Sequence, residues 1–178
     1  QAADLKEGMS VLEPSAGMGH IAERIREVGV EPDVVELSNK RKELLEAKGF
    51  NVVGSDFMDV TGNYDRIIMN PPFSDRRDMA HVQHAYDLLN PGGRLVAIMG
   101  EGVFFGSDKK AQDFRAWLEE HNGTDEKLDE GTFKDPSLPV TTGVNARLIV
   151  ISKLDNLSSF NGGVESSGGI SKSFGGSA

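Results

Sequence analysis

Residues 64–73 read Tyr64-Asp65-Arg66-Ile67-Ile68-Met69-Asn70-Pro71-Pro72-Phe73. The run 64–69 (YDRIIM) has the character of a strand buried in a parallel sheet. Two prolines cannot continue a hydrogen-bonded ladder, so the strand stops at Met69 and its end becomes a rigid loop. In an open α/β sheet, ligands bind outside the carboxyl ends of the strands. Asn70 and Phe73 are therefore expected where chemistry takes place. The amide oxygen of Asn70 and the carbonyls of Asn70 and Pro71 accept hydrogen bonds, while Phe73 offers an apolar face. Such a set suits a planar group with an exocyclic NH2, its hydrogens taken by the oxygens and its ring stacked on Phe73. The structural alternative is a strand-end turn with a buried Phe.

Upstream, residues 8–13 (GMSVLE) read as a short strand, followed by the turn Pro14-Ser15-Ala16-Gly17-Met18-Gly19. Residues 21–28 then have helical spacing, with Ile21, Ile25 and Val28 on one face, and Gly29 ends the helix. Gly17 and Gly19 let the backbone approach a ligand, and the helix start presents unpaired N–H groups and a positive dipole end. Residues 32–37 (PDVVEL) form the second expected strand. Its Glu36 lies 17 residues past Gly19, close to the roughly 20-residue spacing at which an acid meets ribose hydroxyls. A solvated strand-end Glu is the alternative. Ser38 caps a helix over 39–48, which Gly49 closes. Residues 51–53 make the third strand. At its end Asp56 suits acceptance from an adenine amino group, with Phe57 donating its N–H and covering the ring. A loop Asp capping a turn is the alternative.

Downstream, Arg76 and Arg77 could bind phosphate, but Asp75 and Asp78 make a salt-bridged turn an equal reading. A helix over 79–89, a turn over 90–93 and a fifth strand over 94–99 follow. The glycine-rich loop 100–107 carries Phe104 and Phe105. Aromatics there either stack on a base or dock on the core, and docking is the commoner outcome. A helix over 109–120 brings Trp117 to the core. Strands are expected over 127–133 and 146–153; if they form an antiparallel terminal pair, their linker 134–145, with Thr141, Thr142 and Gly143, lies at the ligand edge. Residues 155–178 read as a flexible Gly/Ser-rich tail. Strands alternate with helices, so a parallel sheet covered on both faces is expected.

The 178 residues suffice for one domain with a full-sized core. A formal charge of −9 argues against a free-standing duplex binder, though not against a catalytic domain with a local grip on nucleic acid. Cysteine is absent and the four histidines lack HExxH spacing, so no metal site is expected. No run of about 18 apolar residues and no secretory signal are present, which leads to the expectation of a cytoplasmic protein without a membrane span. The chain starts at Gln1, as a processed product or a piece of something larger would.

Gly17-x-Gly19-x-x-Ala22 on its own also fits the weak NAD fingerprint. The Asp56–Phe57 pair and the Pro-Pro loop, which offers no hydride chemistry, speak against NAD. Instead Glu13-Pro14-Ser15-Ala16-Gly17-Met18-Gly19 resembles the S-adenosylmethionine loop of class I methyltransferases. Asn70-Pro71-Pro72-Phe73 resembles the (D/N)PP(Y/F) motif of enzymes that methylate exocyclic amino nitrogens, above all N6-adenine DNA methyltransferases of phages and mobile elements. The resemblance spans roughly residues 5–153. It implies a Rossmann-like α/β fold, a seven-stranded mostly parallel sheet with an antiparallel terminal strand, in a methyltransferase domain over 1–154.

It implies S-adenosyl-L-methionine as cofactor, its methionine part cradled by Glu13, Pro14, Ser15, Ala16, Gly17 and Gly19. Glu36, with Leu37 beside it, would hold the ribose, and Asp56 and Phe57 the adenine. Asn70, Pro71, Pro72 and Phe73 would form the catalytic loop, Asn70 also lining the cofactor. The implied partner is nucleic acid, DNA before RNA, with other domains of a larger polypeptide where the chain is a piece of one. Three departures stand beside this. Ser74 occupies the position where the similar RNA guanine-N2 methyltransferases often carry His. The segment that usually precedes the first strand is missing or truncated, and no target-recognition domain is visible. RNA guanine-N2 methylation, protein-glutamine methylation and a non-catalytic cofactor-fold module are the alternatives.

Overall fold

The computed structural model describes residues 3–17, 19–71, 77–128 and 146–154. Seven strands form one sheet in the order β3-β2-β1-β4-β5-β7-β6. They are β1 (Val11–Glu13), β2 (Asp33–Val35), β3 (Asn51–Gly54), β4 (Tyr64–Met69), β5 (Leu89–Gly100), β6 (Thr124–Lys127) and β7 (Ala146–Ser152). β1 to β5 pair in parallel, and β7 runs antiparallel to both β5 and β6. The expected mostly parallel sheet with an antiparallel terminal strand is thus present.

Alternation along the strands sorts side chains to two faces. Leu95, Ala97 and Met99 of β5 and Ile149 and Ile151 of β7 are fully buried. They cluster with Met79, Val82 and Ala85 of α3 (Arg77–Asp87) and with Phe114 and Leu118 of α5 (Lys109–Glu120). Trp117 is half-buried and stacks on Phe114 at 5.7 Å between ring centroids. Smaller clusters join the first strands to two further helices. Ile25 of α1 (His20–Glu27) packs with Val11 and Val30, and Leu45 of α2 (Asn39–Ala47) packs with Val34, Phe50 and Ala22. Ser38 caps α2 as expected, its hydroxyl accepting the Arg41 N–H at 3.4 Å. Gly29 and Gly49 follow the two helices with φ of 90° and 86°, the left-handed conformation that closes a helix.

Several boundaries differ from the sequence reading. The first strand starts at Val11, because Ser10 is already bonded across to Asp65, and the second spans only Asp33–Val35. Residues 90–93 do not precede β5 as a separate turn. They form a bulge inside it, where the register passes from Tyr64↔Leu89 to Arg66↔Arg94 and four residues face Asp65 alone. Backbone hydrogen bonds from Gly92 N–H to the Lys153 carbonyl and from Lys153 N–H to the Gly93 carbonyl tie the bulge to the end of β7. Residues Gly102–Phe105 form a one-turn helix, α4, in place of a loop. The strand expected over 127–133 is instead β6, three residues earlier at its start, and residues 129–133 lie outside the described set. So do the linker 134–145 and the tail 155–178. Among the described residues no helix is long and apolar enough to cross a membrane.

Asp65 joins three strands at the amino edge. Its carboxylate accepts the Ser10 N–H at 3.1 Å and the Asn90 amide at 3.0 Å, and its own N–H donates to the Ser10 hydroxyl at 3.0 Å. The Asn90 amide and the Ser10 backbone hold the Asp65 carboxyl below its ordinary range. Its contribution is thus present above the unfolded carboxylate range and fades as pH falls through the lowered folded value. Asp65→Ala is expected to cost about 1–3 kcal/mol at pH 7, with the gap to the parent narrowing towards pH 3. Urea unfolding at both pH values checks this, and an equal loss at the two would contradict it.

Candidate active site

The register of the parallel strands brings the expected site residues into one row. Glu13 is level with Val34, and the Ala16 N–H bonds to the Val35 carbonyl, so the turn after β1 lies against the end of β2 that carries Glu36. Leu12 is level with Ile67, so β4 runs on beside that turn to release Asn70 after Met69. Val35 is level with Gly54, so Asp56 stands level with Leu37. Four neighbouring strands therefore release their carboxyl ends side by side. The chain runs outward from β1 to β2 and β3 on one side, and β4 and β5 lie on the other. The crevice between β1 and β4 is the switch point at which open α/β sheets bind ligands.

The turn after β1 is built for close approach. Ala16 N–H donates to the Val35 carbonyl at 3.1 Å, and Gly19 N–H to the Ala16 carbonyl at 2.7 Å. Gly17 and Gly19 have φ of 53° and 89°. The positive φ of Gly19 is the conformation that favours glycine, and a Cβ there would sit 3.0 Å from Leu45 Cδ2, so that methyl would have to give by a few tenths of an ångström. Gly19 is the N-cap of α1, and no side chain caps that end. The free N–H groups and the dipole of this helix start suit an anionic group. Pro14 and Ala16 are buried, Ser15 and Gly17 half-buried, and Met18 lies outside the described residues.

Glu13 is fully buried. One oxygen accepts the Ser15 N–H at a long 3.3 Å, and Oε2 has no hydrogen-bond partner among the described residues. Burial pushes its carboxyl up to about 8; the Ser15 N–H opposes this and the nearby Glu36 adds to it. Glu36 is 7% exposed, yet both its oxygens are engaged. Oε2 accepts the Ser38 N–H at 3.2 Å, and Oε1 lies 3.8 Å from the Arg41 guanidinium. Leu37 beside it is 74% exposed, an apolar surface at the rim of the row.

Asp56 and Phe57 depart from the roles read for them. Asp56 Oδ1 accepts the Met58 N–H at 2.9 Å and caps a 3-10 turn over Phe57–Asp59. Its turn-capping alternative is therefore real, and the other oxygen is what is left for a ligand. The Phe57 ring cannot cover a ligand face, because it is buried in the core. It packs edge-on between His81 and His84 of α3, with centroids 5.6 and 4.8 Å away. Only its backbone can serve the row. His84 Nε2 lies 3.0 Å from the Val60 carbonyl, the geometry of an Nε2–H donor, and this bond fixes the end of the turn.

Asn70 is half-buried and Pro71 buried, directly after β4. Pro72, Phe73, Ser74 and Arg76 lie outside the described residues, and Arg77 opens α3 at the surface. Sequence reading missed Arg41, three residues past a helix cap, and both histidines, which reach Phe57 only because α3 packs over β4 and β5. Among the described residues no group of three or more His, Asp or Glu could hold a metal ion.

The strand order and the antiparallel β7 are those of Rossmann-like class I methyltransferases. A Pyrococcus horikoshii protein provisionally assigned as an RNA methyltransferase is similar at 20% identity and a TM-score of 0.59, over 83% of this chain and 76% of that one. TrmN of Thermus thermophilus is similar at 24% identity and a TM-score of 0.58, over 85% and 46%. Magnesium protoporphyrin IX methyltransferase of Synechocystis, solved with S-adenosylmethionine bound, is similar at 15% identity and a TM-score of 0.58, over 82% and 70%. No curated protein matches the chain in sequence. The chain belongs to the methyltransferase small domain family, whose model matches residues 1–112. Family and fold make it a methyltransferase of the S-adenosylmethionine-dependent class. The residues present fit that cofactor: Glu13 has an orphaned buried oxygen for a cationic group, α1 an uncapped start for a carboxylate, and Glu36 a carboxylate at the rim for hydroxyls.

Glu13 gives the ligand-free protein a pH signature. Between pH 4.5 and about 8 the folded chain keeps a proton that the unfolded chain releases, so stability falls as pH rises through that window. The expected loss is on the order of 2–5 kcal/mol. Glu13→Gln removes the titrating group and flattens the slope. Urea midpoints at pH 5 and pH 8 for both proteins measure it, and a parent no less stable at pH 8 would contradict the assignment.

Proposed function

We propose that the chain methylates an exocyclic amino group of a nucleic-acid base, with adenine N6 as the acceptor. The observation that carries this is the position of Asn70 and Pro71. They follow the end of β4, the strand paired directly with β1 and so beside the glycine turn, and they carry the amide and carbonyl oxygens that a planar NH2 needs as acceptors. S-adenosylmethionine, when bound, supplies an electrophilic methyl group on a sulfonium.

Glu13 pairs with the amino group of the cofactor's methionine part, and Gly17, Gly19 and the start of α1 take its carboxylate. Glu36 accepts from the ribose hydroxyls, its second oxygen steadied by the Ser38 N–H. Leu37 flanks the adenine, Asp56 accepts from its amino group, and the Phe57 N–H donates to its ring. At the acceptor, the nitrogen lone pair is delocalised into the ring. Hydrogen bonds from the amino group to Asn70 and Pro71 oxygens favour a more tetrahedral nitrogen, with the lone pair aimed at the methyl. This is positioning and electrostatic stabilisation without a covalent enzyme intermediate. The nitrogen turns acidic as it gains the methyl, and its proton leaves to water. Phe73 stacks on the base. A target within a duplex must first be flipped out, at a cost of a few kcal/mol.

Adenine N6 rests on the Asn-Pro-Pro-Phe stretch alone. One of the neighbours named above, the Pyrococcus horikoshii protein, carries an RNA methyltransferase assignment, which is why RNA stands beside DNA in the test.

Labelled S-adenosylmethionine is incubated with unmethylated DNA and with RNA, and the nucleosides are read by mass spectrometry. N6-methyladenine is expected in one polymer. Asn70→Ala is expected to lower kcat by about 100-fold or more while cofactor affinity stays within a few-fold. An Asn70→Ala protein of full activity would sink the mechanism, and N2-methylguanine as product would replace the acceptor.

A further inference from the structure

We propose that Phe105 is a second stacking position, taking the unpaired base next to the target in a single strand. The inference rests on the acceptor reading above and deepens it.

Placement comes first. Met69 is level with Ala97, so Pro71 is level with Met99, and β5 ends one residue later at Gly100. The one-turn helix α4 begins at Gly102. In the sheet order the acceptor segment after β4 thus stands between the cofactor turn after β1 and α4 after β5. Neighbouring strands lie about 4.8 Å apart, and one stacked nucleotide step spans about 3.4 Å. With the cofactor turn on the β1 side, the side open to a neighbouring base is that of α4.

Rigidity comes second. Val103 is buried, and Phe104 packs on the main core. Arg115 Nη1 donates to the Val103 carbonyl at 2.8 Å, which fixes the short helix from α5. With those two residues turned inward, Phe105 is 69% exposed. The Arg147 guanidinium lies 5.3 Å from the Phe105 ring and 5.4 Å from that of Phe104, a cation–π bridge between the anchored ring and the open one. Arg147 is itself held by Asp125 at 2.6 Å, with Glu101 3.8 Å from its Nε. An exposed aromatic so fixed pays little ordering entropy when a flat ligand lands on it.

Charge names the ligand class. Arg147, Glu101 and Asp125 together carry one positive and two negative charges, which makes a poor phosphate clamp. The protein as a whole carries −9. Backbone neutralisation, the main source of duplex affinity, is therefore weak here. Stacking needs no such charge and accepts any base. The ligand that fits is an exposed nucleobase of a single strand.

Two readouts test this. The parent has one tryptophan, Trp117, so Phe105→Trp adds a reporter at the platform. Oligothymidylate, which has no adenine to methylate, is expected to quench that added emission and to leave the parent's unchanged. Phe105→Ala is expected to raise KM for an adenine-containing single strand about tenfold. It should not alter KM for adenosine, which has no neighbouring base, and Phe105→Tyr should restore the parent value. Phe105 is exposed, so an unchanged melting temperature checks that each variant folds. Absent quenching overturns the proposal, and so does a KM for the strand that Phe105→Ala leaves unchanged. Quenching needs no turnover, so it decides the platform even where methyl transfer fails and the acceptor reading falls with it.

Discussion

The parallel pairing of β1 with β2 on one side and β4 on the other is the constraint from which the site follows. β1 has three residues, all buried. Its few ladder bonds could not hold it alone. Packing on both faces does so: Leu12 lies in the main core, and Val11 joins the cluster under α1. Once that register is set, the chain cannot avoid releasing Glu13, Glu36 and Asn70 at the carboxyl ends of three adjacent strands. A slip of one residue in β1 would turn its apolar residues to the wrong faces and carry the glycine turn out of line.

The same centre accepts a cost. A carboxyl group with an orphaned oxygen, near a second carboxylate, is a poor element of a stable interior. Glu13 lies at the end of the most buried strand, where an apolar residue would pack better. The fold tolerates this because the main core, built from β4, β5 and β7 with α3 and α5 and reaching Leu12 and Val35, is large. A polar defect is carried at its border. Such a placement is common where an interior must later receive a charged ligand.

Much of this was legible in the sequence. Apolar runs that end in proline or glycine punctuation mark β4 and the turn after β1, since both signals are local. The parallel pairing of the first five strands followed from alternation, and the Ser38 cap from its residue type. What was lost depended on distant partners. β6 (Thr124–Lys127) has four exposed residues and no apolar alternation, because it is an edge strand whose charges discourage further pairing. Its only sign is β7 alongside. The Asn90–Gly93 turn could not be known as a bulge without Asp65 opposite it. Asp56–Phe57 was placed at the right strand end, but a linear pattern does not tell which way the Phe57 ring turns, and the histidines that receive it come from another helix. Arg147 reads as an ordinary strand residue until Asp125 and the two phenylalanines surround it.

α3 has a double attachment. It follows Pro71 by six residues, and its His81 and His84 grip Phe57 while His84 holds the Val60 carbonyl. The segments on either side of the crevice therefore hang from one beam. A shift of α3 that suits one of them is felt by the other, and any such influence runs equally in both directions, since linkage free energies are reciprocal. The segment after β3 and the chain that follows β4 thus share one helix as a common support.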